Sequence, residues 1–260
     1  MITRFSTFLL EAPQQGFVYE KNAANVLKKF DVVPNNFTPA GAGSDIPDLM
    51  IQKNGKKAGC ELKITAASAG SLVMKYADGK WSVGKDGETN DEKIFVADVA
   101  KEFGILDKIA ENWSNEPYKF TDDPKLKSEI EDMSKREKYT AERLRFPEIR
   151  AEIPATKIEE YYAKKNTHYV NVGTHGFYLL GNKNPLKLKG IPRFGTSAKA
   201  SYRARVQAKG GGNYQFTFEM SFSIPAAKKS DFNIAPIMSK KSVKIDTAKL
   251  NLDWFPGNLF

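Results

Sequence analysis

The chain has 260 residues, of which 41% are hydrophobic and 27% charged, and its formal net charge is +9 at pH 7. These values are ordinary for a globular protein and exclude wholesale disorder, and the length allows one large domain or a core with an appended lobe. No apolar run approaches the ~20 residues of a membrane span, and the single cysteine, Cys60, excludes an intrachain disulfide and a thiolate zinc site. Because Glu11 interrupts the first apolar stretch too early for a secretory signal, we expect a soluble cytoplasmic protein that does not associate with membranes.

The N-terminal third is predicted to contain one helix followed by two hairpins. Residues 17–30 place their apolar side chains close to helical spacing, and a turn-rich loop follows at 35–44. Asn54-Gly55 is a strong type I′ hairpin signal, and Asp78-Gly79 predicts a second turn of the same kind. The strands predicted around these two turns are residues 48–52, 58–65, 71–76 and 80–83.

Helical segments follow, and the chain then becomes rich in strand-forming residues. A second helical region is predicted at 91–113, interrupted by Gly104, and a short helix at 155–165. Residues 123–146 are highly charged with a thin apolar stripe, which indicates an exposed helix or arm. Four strands are predicted from Thr167 onward, in THYVNV, GFYLLG, ASYRARVQA and NYQFTFEMSFSI. The order of elements favours a mixed α/β fold.

The positive charge is concentrated in one segment of the chain. Residues 161–218 contain no Asp or Glu and ten Lys or Arg, whereas the remainder holds 30 basic and 31 acidic residues. This asymmetry predicts a surface that faces a polyanion; the alternative is a solvated face whose acidic partners come from elsewhere in the fold. The candidate DNA-binding residues are Lys183, Lys187, Lys189, Arg193, Lys199, Arg203, Arg205 and Lys209.

The first hairpin carries the residues with the clearest chemistry. Alternate side chains of a strand share a face, so Glu61 and Lys63 are expected on one face, with Cys60 and Leu62 on the other, in the core. Asp48 begins the partner strand and is expected near Glu61 across the Asn-Gly turn, although Asp45 is an alternative. Two converging carboxylates form a hard-oxygen site that suits Mg²⁺ or Mn²⁺. A nearby ammonium can position a water for attack on phosphorus.

Residues 15–83 resemble the PD-(D/E)XK nuclease superfamily. The resemblance rests on Pro47-Asp48, twelve intervening residues, and then Glu61-Leu62-Lys63, with Glu20 on the preceding helix as the additional acid. It implies a restriction-endonuclease-like core, a central mixed β-sheet flanked by helices, over residues 1–120. A charged helical connection would then span 121–160, and a basic β-rich region 161–260 would form a DNA-binding part or complete the same domain.

The same resemblance implies the roles of the site residues. Asp48, Glu61 and the backbone carbonyl of Leu62 would hold Mg²⁺ or Mn²⁺, Lys63 would orient the attacking water, and Glu20 would be an accessory ligand or orienting carboxylate, with Glu11 as its competitor. The expected activity is Mg²⁺-dependent endonucleolytic hydrolysis of DNA that leaves 5′-phosphates, of a restriction type or of a phage or repair type in a bacterial or phage-infected cell. Cleavage of both strands would require two active sites, which a homodimer supplies. The alternatives are a non-catalytic nucleic-acid-binding protein and an RNA-directed nuclease.

Three other groups of residues are interpreted as structural or as secondary contacts. His168 and His175 lack further zinc ligands, so strand or loop packing, or contact with phosphate, is expected of them. Cys60 is expected to be a small core residue rather than a nucleophile. The aromatic residues interleaved with the basic segment can stack on unpaired bases, but strand core is the simpler assignment.

Overall fold

The computed structural model describes residues 6–39, 46–65, 68–83, 90–113, 135–173, 175–208, 214–224, 228–232, 237–239 and 242–245, and the side chains from Gly16 onward within most of these ranges. None of the described helices is both long and apolar enough to cross a membrane. The helices are α1 (Ser6–Lys28), α2 (Asp91–Glu102), α3 (Ile105–Asn112), α4 (Lys135–Arg145), α5 (Thr156–Lys164) and α6 (Phe194–Ser197). The strands are β1 (Leu49–Lys53), β2 (Lys56–Lys63), β3 (Ser68–Ala77), β4 (Lys80–Val83), β5 (Ile149–Ile153), β6 (Thr167–Val172), β7 (Gly176–Leu179), β8 (Lys199–Ala208), β9 (Tyr214–Ser223), β10 (Ile237–Ser239) and β11 (Ser242–Ile245).

Both predicted tight turns are confirmed. Asn54 and Gly55 have φ values of 50° and 76°, and they join β1 to β2 in an antiparallel pair that starts at Leu49 opposite Cys60. Asp78 and Gly79 have φ values of 51° and 74° and join β3 to β4. Positive φ at both central residues is the requirement of a type I′ turn, and Asn-Gly and Asp-Gly are the dipeptides that meet it at least cost. The local sequence therefore fixes the register of both hairpins.

The predicted interruption at Gly104 is also confirmed. Gly104 has a φ of 64° between α2 and α3, a left-handed conformation that glycine adopts without strain. The start of α2 is capped because the Asn90 side chain accepts a hydrogen bond from the Glu92 backbone N–H at 2.7 Å.

The chain divides into two compact units, and the first contains the β1–β2 hairpin. It consists of residues 1–67, 154–199 and 222–260. Its four-stranded sheet has the order β1-β2-β6-β7, in which β2 and β6 are parallel and the other pairs antiparallel. One face of this sheet packs against the apolar face of α1, whose Tyr19, Ala23, Ala24 and Leu27 join a buried cluster with residues of β1, β2, β6 and β7.

The second unit consists of residues 68–153 and 200–221. Its five-stranded sheet has the order β4-β3-β9-β8-β5. Tyr202 of β8 is fully buried, and its hydroxyl donates a hydrogen bond to the Val96 carbonyl of α2 at 2.7 Å. Trp81, Trp113, Phe146 and Phe216 surround one another with ring centroids 4.9–5.8 Å apart, which gives this unit its own aromatic core.

The mixed α/β class is as predicted, but the units do not follow the predicted boundaries at 120 and 160. β2 pairs with β6, a hundred residues later, whereas β3 and β4 belong to the second unit. The charged stretch is helical at Lys135–Arg145, and residues 123–134 lie outside the described residues. The basic segment 161–218 is shared, since residues 161–199 lie in the first unit and 200–218 in the second. Part of the predicted C-terminal region thus completes the sheet that carries the β1–β2 hairpin.

Candidate metal centre

The alternation of side chains along β2 places the candidate residues as predicted. Cys60 and Leu62 are buried in the apolar cluster beneath α1. Glu61 and Lys63 lie on the other face, where Lys63 Nζ is 2.6 Å from Glu61 Oε1. Unlike an ordinary hairpin with a solvated polar face, this face is covered, because Glu61 is only 6% exposed. The ion pair therefore lies in a low-dielectric environment, where charge–charge interactions are strong.

Asp48 contacts β2 at the residue between Glu61 and Lys63, within electrostatic reach of both side chains. It immediately precedes β1, and one of its carboxylate oxygens, Oδ2, accepts a hydrogen bond from the Leu62 backbone N–H at 2.8 Å. This bond ties the end of one strand of the hairpin to the strand that carries Glu61 and Lys63. The predicted convergence of Asp48, Glu61 and Lys63 is therefore present. Asp45, the alternative ligand, lies outside the described residues.

A glycine on β2 makes room for the residue before Asp48. A Cβ atom added at Gly59 would lie 2.9 Å from the Cβ and Cγ atoms of Pro47 and 2.8 Å from the Asn166 carbonyl oxygen. These distances are shorter than van der Waals contact, and one of the neighbours is rigid backbone. The close packing of Pro47 on Gly59 therefore contributes to the position of Asp48.

We expect Gly59→Ala to destabilise the protein by about 1–3 kcal/mol, since overpacking a rigid contact costs this much. Displacement of Pro47 should also weaken the binding of Mn²⁺ at Asp48. The control is Gly16→Ala, where a new Cβ meets nothing within 4 Å and alanine favours the helix. Denaturant unfolding and a Mn²⁺ titration of both variants check this expectation, and equal stability of the two variants would contradict it.

A tyrosine on α5 covers the Glu61 side of the sheet. Tyr162 is fully buried, and its hydroxyl lies 3.5 Å from Glu61 Oε1, which is longer than a normal O–H···O hydrogen bond. Burial and the charge of Glu61 raise the pKa of Tyr162 well above its ordinary value, so the hydroxyl stays protonated and can donate. Tyr162 thereby restricts the water around Glu61 and faces the same oxygen as Lys63.

Glu20 lies close to this centre on α1. The preceding residue, Tyr19, is buried, and its hydroxyl accepts a hydrogen bond from Asn171 Nδ2 of β6 at 2.8 Å. This contact fixes the helix against the sheet at the residue next to Glu20. Burial raises the pKa of Glu20, and the charges of Lys63 and Glu61 act on it in opposite directions, so Glu20 is within electrostatic reach of both. The side chain of Glu11, its competitor, lies outside the described side chains.

The charges at the centre perturb one another. Burial, followed by the charge of Glu61, raises the pKa of Asp48 to about 7, against the opposing effects of Lys63 and the Leu62 N–H. Burial acts to lower the pKa of Lys63, but the carboxylates of Glu61, Asp48 and Glu20 outweigh it, so the pKa is raised and the ammonium is retained. The centre thus combines one fixed positive charge with carboxylates that repel one another.

The carboxylates can be compared with what a divalent cation requires. Among the described residues, Asp48 Oδ1 and Glu61 Oε2 accept no hydrogen bond, and both belong to hard ligands of the type Mg²⁺ prefers. Within those residues no group of three or more His, Cys, Asp or Glu side chains is close enough to hold a metal ion, so Glu20 does not complete a three-carboxylate set. Mg²⁺ is commonly bound by one or two carboxylates with several waters, and the pair Asp48 and Glu61 fits that pattern.

Three arginines of the basic segment are neutralised by glutamates. Arg193 Nη2 lies 2.9 Å from Glu159 Oε2. Arg203 and Arg205 each place a nitrogen 2.7 Å from an oxygen of Glu219, which is 5% exposed, and these guanidinium groups lower the pKa of Glu219 despite its burial. The two glutamates that pair with these arginines, Glu159 and Glu219, lie immediately outside the acid-free segment in the sequence. They are weaker candidates for phosphate contact than their charge alone suggests.

Four lysines of the predicted DNA-binding set are exposed. Lys183, Lys187, Lys189 and Lys199 make no ion pair with any carboxylate of the described residues, and Lys209 lies outside those residues. The first three belong to one loop in the unit that contains Asp48, Glu61 and Lys63. We call residues 181–193 the lysine loop.

The lysine loop is held in place by its buried residues. Leu186 and Leu188 are buried in the core, and the Asn184 side chain accepts hydrogen bonds from the Tyr169 hydroxyl (2.7 Å) and the Leu188 N–H (3.0 Å). The Tyr169 hydroxyl also accepts from the Leu186 N–H at 3.0 Å. Because alternate residues are anchored inward, Lys187 and Lys189 are presented outward on a fixed backbone.

Cys60 is a buried core residue, as expected, and burial raises the pKa of its thiol well above the ordinary value, which makes it a poor nucleophile.

Burial lowers the pKa values of both His168 and His175, with nearby Lys183 and Lys229 adding to the effect, so both rings are neutral at pH 7. Of the aromatic residues in the segment, Tyr161, Tyr162, Tyr169, Tyr178, Phe194 and Tyr202 are buried, which agrees with their assignment to the core.

Sequence reasoning missed Gly59, Asn171, Tyr162, Glu159 and Glu219. Only the last two carry a sequence signal, since they lie immediately outside the ends of the acid-free segment.

No protein-family model matches this chain, and searches of the curated proteins and of the solved structures found no significant match.

Proposed function

We propose that the protein is a metal-dependent endonuclease that hydrolyses phosphodiester bonds of DNA, with a restriction-endonuclease-like core around the β1–β2 hairpin. The observation that carries this proposal is the buried arrangement of Asp48, Glu61 and Lys63, in which two carboxylates and an ammonium meet at one end of the hairpin. A stabilising ion pair alone would not require the second carboxylate, whose pKa is raised to about 7 by burial and then by the charge of Glu61, against the opposing effect of Lys63. A perturbed carboxylate of this kind is typical of a functional site.

Asp48 and Glu61, with the Leu62 carbonyl, would hold Mg²⁺ or Mn²⁺, and the ion when bound would supply charge stabilisation at phosphorus and activate water. Lys63 Nζ, an ammonium held 2.6 Å from Glu61 Oε1, would orient the attacking water and stabilise the negative charge that develops on its oxygen. The Tyr162 hydroxyl, near Glu61 Oε1, would help to orient the Glu61 carboxylate. Glu20 would act from the edge of the centre as an orienting carboxylate. It is within electrostatic reach of Lys63 and Glu61 but does not form a group of three carboxylates with Asp48 and Glu61.

The lysine loop is the part of the predicted DNA-binding set best supported as a phosphate contact. Lysines without carboxylate partners release counterions from DNA when they bind it, whereas paired arginines must first break an ion pair.

We expect Lys183, Lys187 and Lys189, replaced together by alanine, to reduce the slope of log K against log salt for DNA binding by about 2–3. The matched control is the double variant Arg203→Gln and Arg205→Gln, which removes two paired charges. It should lower the free energy of unfolding and leave the slope of log K against log salt nearly unchanged. Fluorescence anisotropy in EDTA from 50 to 300 mM salt measures both, and an unchanged slope in the lysine variant would oppose the assignment.

The proposed activity is tested with labelled DNA and RNA duplexes of one sequence, incubated with Mg²⁺ or with EDTA. Cleavage of the DNA duplex only in Mg²⁺ supports the proposal. Cleavage confined to RNA would favour the RNA-directed nuclease, and binding without cleavage of either duplex would favour a non-catalytic binding protein.

A further inference from the structure

A cavity of about 330 Å³ lies on the first unit, between α5 and the lysine loop. Its walls include Glu159 and Ala163 of α5, His168 of β6, Leu180 directly before the lysine loop, and Lys183 and Arg193 of that loop. None of these residues belongs to the Asp48–Glu61–Lys63 centre. The volume lies at the lower end of small-ligand sites, which suits a single compact molecule rather than a stretch of duplex.

One wall of the cavity is rigid and charged. Glu159 is 7% exposed and accepts a hydrogen bond from Arg193 Nη2 at 2.9 Å. A side chain at position 195 would overlap Glu159 Oε1, so glycine there allows the carboxylate to lie in this place. Glu159 Oε1 and Arg193 Nε are buried without a hydrogen-bond partner, which costs the folded protein free energy. Such an arrangement suggests a role beyond packing.

The opposite side of the cavity carries positive charge. Lys183 is exposed, and its charge contributes, after burial, to the lowered pKa of His168, so the ammonium lies within electrostatic reach of the ring. The ring is held in turn by a 3.0 Å hydrogen bond between His168 Nε2 and Asn166 Oδ1. The acidic residue at the rim, Glu160, lies 3.5 Å from Lys157, which offsets its repulsion of an anion. An anionic group would therefore be favoured on the side of Lys183 and His168.

We propose that this cavity binds a nucleoside monophosphate, either free or as the terminal unit of a nucleic-acid strand. The phosphate would lie against Lys183, beside His168. The base would lie against Ala163 and Leu180, with an N–H group directed towards Glu159 Oε2, the oxygen that lies towards Gly181 of the cavity wall and an acceptor that a bare anion could not use. The inference rests on the proposed function in that it takes the phosphate-bearing ligand to be nucleic acid, but the cavity shares no side chain with the metal centre.

The test uses untagged full-length protein in EDTA and follows the histidine ring protons by NMR. The chain has only two histidines, and His175 is outside the cavity walls, so it serves as an internal control. Each of the four deoxynucleoside monophosphates is titrated separately, beside inorganic phosphate. We expect a saturable shift of the His168 resonance with at least one nucleotide, no shift of His175, and at least fivefold weaker binding of phosphate.

The variants are Lys183→Ala and, as a matched control, Lys56→Ala, which removes an exposed charge from the same unit outside the cavity and outside the lysine loop. We expect Lys183→Ala to weaken nucleotide binding at least fivefold and Lys56→Ala less than twofold. Neither lysine makes an ion pair with a described carboxylate, so both variants should fold. The proposal is overturned if no nucleotide shifts His168 saturably, if phosphate binds as tightly as every nucleotide, or if the two variants behave alike.

A short oligonucleotide with and without a 5′-phosphate distinguishes the two sources of the ligand. Tighter binding of the phosphorylated strand than of free nucleotide identifies a strand end, and the reverse identifies a free nucleotide; both outcomes support the cavity site. Cleavage of DNA is measured separately with Mg²⁺. Nucleotide binding without DNA cleavage would preserve the cavity and refute the proposed function, whereas cleavage without nucleotide binding would do the opposite.

Discussion

Glu61→Gln is expected to weaken metal binding and to slow DNA cleavage, whereas Lys63→Met should slow cleavage alone. Glu61 offers Oε2 to a cation and accepts a hydrogen bond from Lys63 through Oε1, so the isosteric amide removes the ligand charge and the negative charge that pairs with the ammonium. We expect a loss of cleavage rate on the order of 10³-fold, with at least tenfold weaker Mn²⁺ binding. Lys63→Met removes a positive charge beside the carboxylates, so Mn²⁺ should bind equally well or more tightly while cleavage falls on the order of 10²-fold or more.

Single-turnover cleavage of a labelled duplex and titration of Mn²⁺ by electron paramagnetic resonance separate these roles. Glu111→Gln and Lys108→Met are matched controls, because both residues are exposed on α3, in the other unit. If Glu61→Gln bound Mn²⁺ as the wild type does, Glu61 would not be a ligand. If Lys63→Met cleaved at the wild-type rate, the ammonium would have only a structural role.

The second large effect is a dependence of stability on pH that a divalent cation removes. The pKa of Asp48 rises from 3.8 to about 7 through burial and the charge of Glu61, so the folded state without metal holds this proton more tightly than the unfolded chain does. The resulting stability is present in full below pH 4 and is lost as the pH rises through 7. Between pH 5 and pH 8 in EDTA, we expect the free energy of unfolding to fall by about 3 kcal/mol more in the wild type than in Asp48→Asn.

Denaturant unfolding at both pH values measures this difference, with Asp231→Asn as a control at an exposed carboxylate. The raised pKa of Glu20 acts in the same direction in wild type and variant, so it largely cancels in the comparison. Addition of Mg²⁺ or Mn²⁺ at pH 8 should restore the stability of the wild type but not alter that of Asp48→Asn. An unchanged pH dependence in Asp48→Asn would show that Asp48 is ionised normally in the folded protein.

The features of the fold that the sequence predicts correctly are local ones. Asn54-Gly55 and Asp78-Gly79 determine their turns through backbone preference alone, and the apolar alternation of Cys60 and Leu62 determines which face of β2 carries Glu61. The break at Gly104 follows from the same kind of local preference. These predictions require no knowledge of distant parts of the chain.

The features that sequence reasoning missed depend on pairing over long distances. Nothing near β2 indicates that β6 will lie beside it, so neither the Asn171–Tyr19 hydrogen bond nor the cover that Tyr162 provides for Glu61 could be anticipated. The division into two interleaved units is missed for the same reason, since β3 pairs with β9, about 150 residues away. The ion pairs of Arg193, Arg203 and Arg205 come from glutamates just outside the segment whose composition suggested a free basic surface.

Incubation of supercoiled plasmid with the wild-type protein and Mg²⁺, followed by mapping of the product ends, tests the central claim most directly. The arrangement of Asp48, Glu61 and Lys63 predicts nicked or linear DNA with 5′-phosphate ends in Mg²⁺ or Mn²⁺. It also predicts intact plasmid in EDTA and with Glu61→Gln at a concentration that still binds DNA. Wild-type protein that binds the plasmid but leaves it supercoiled in both Mg²⁺ and Mn²⁺ would contradict the claim.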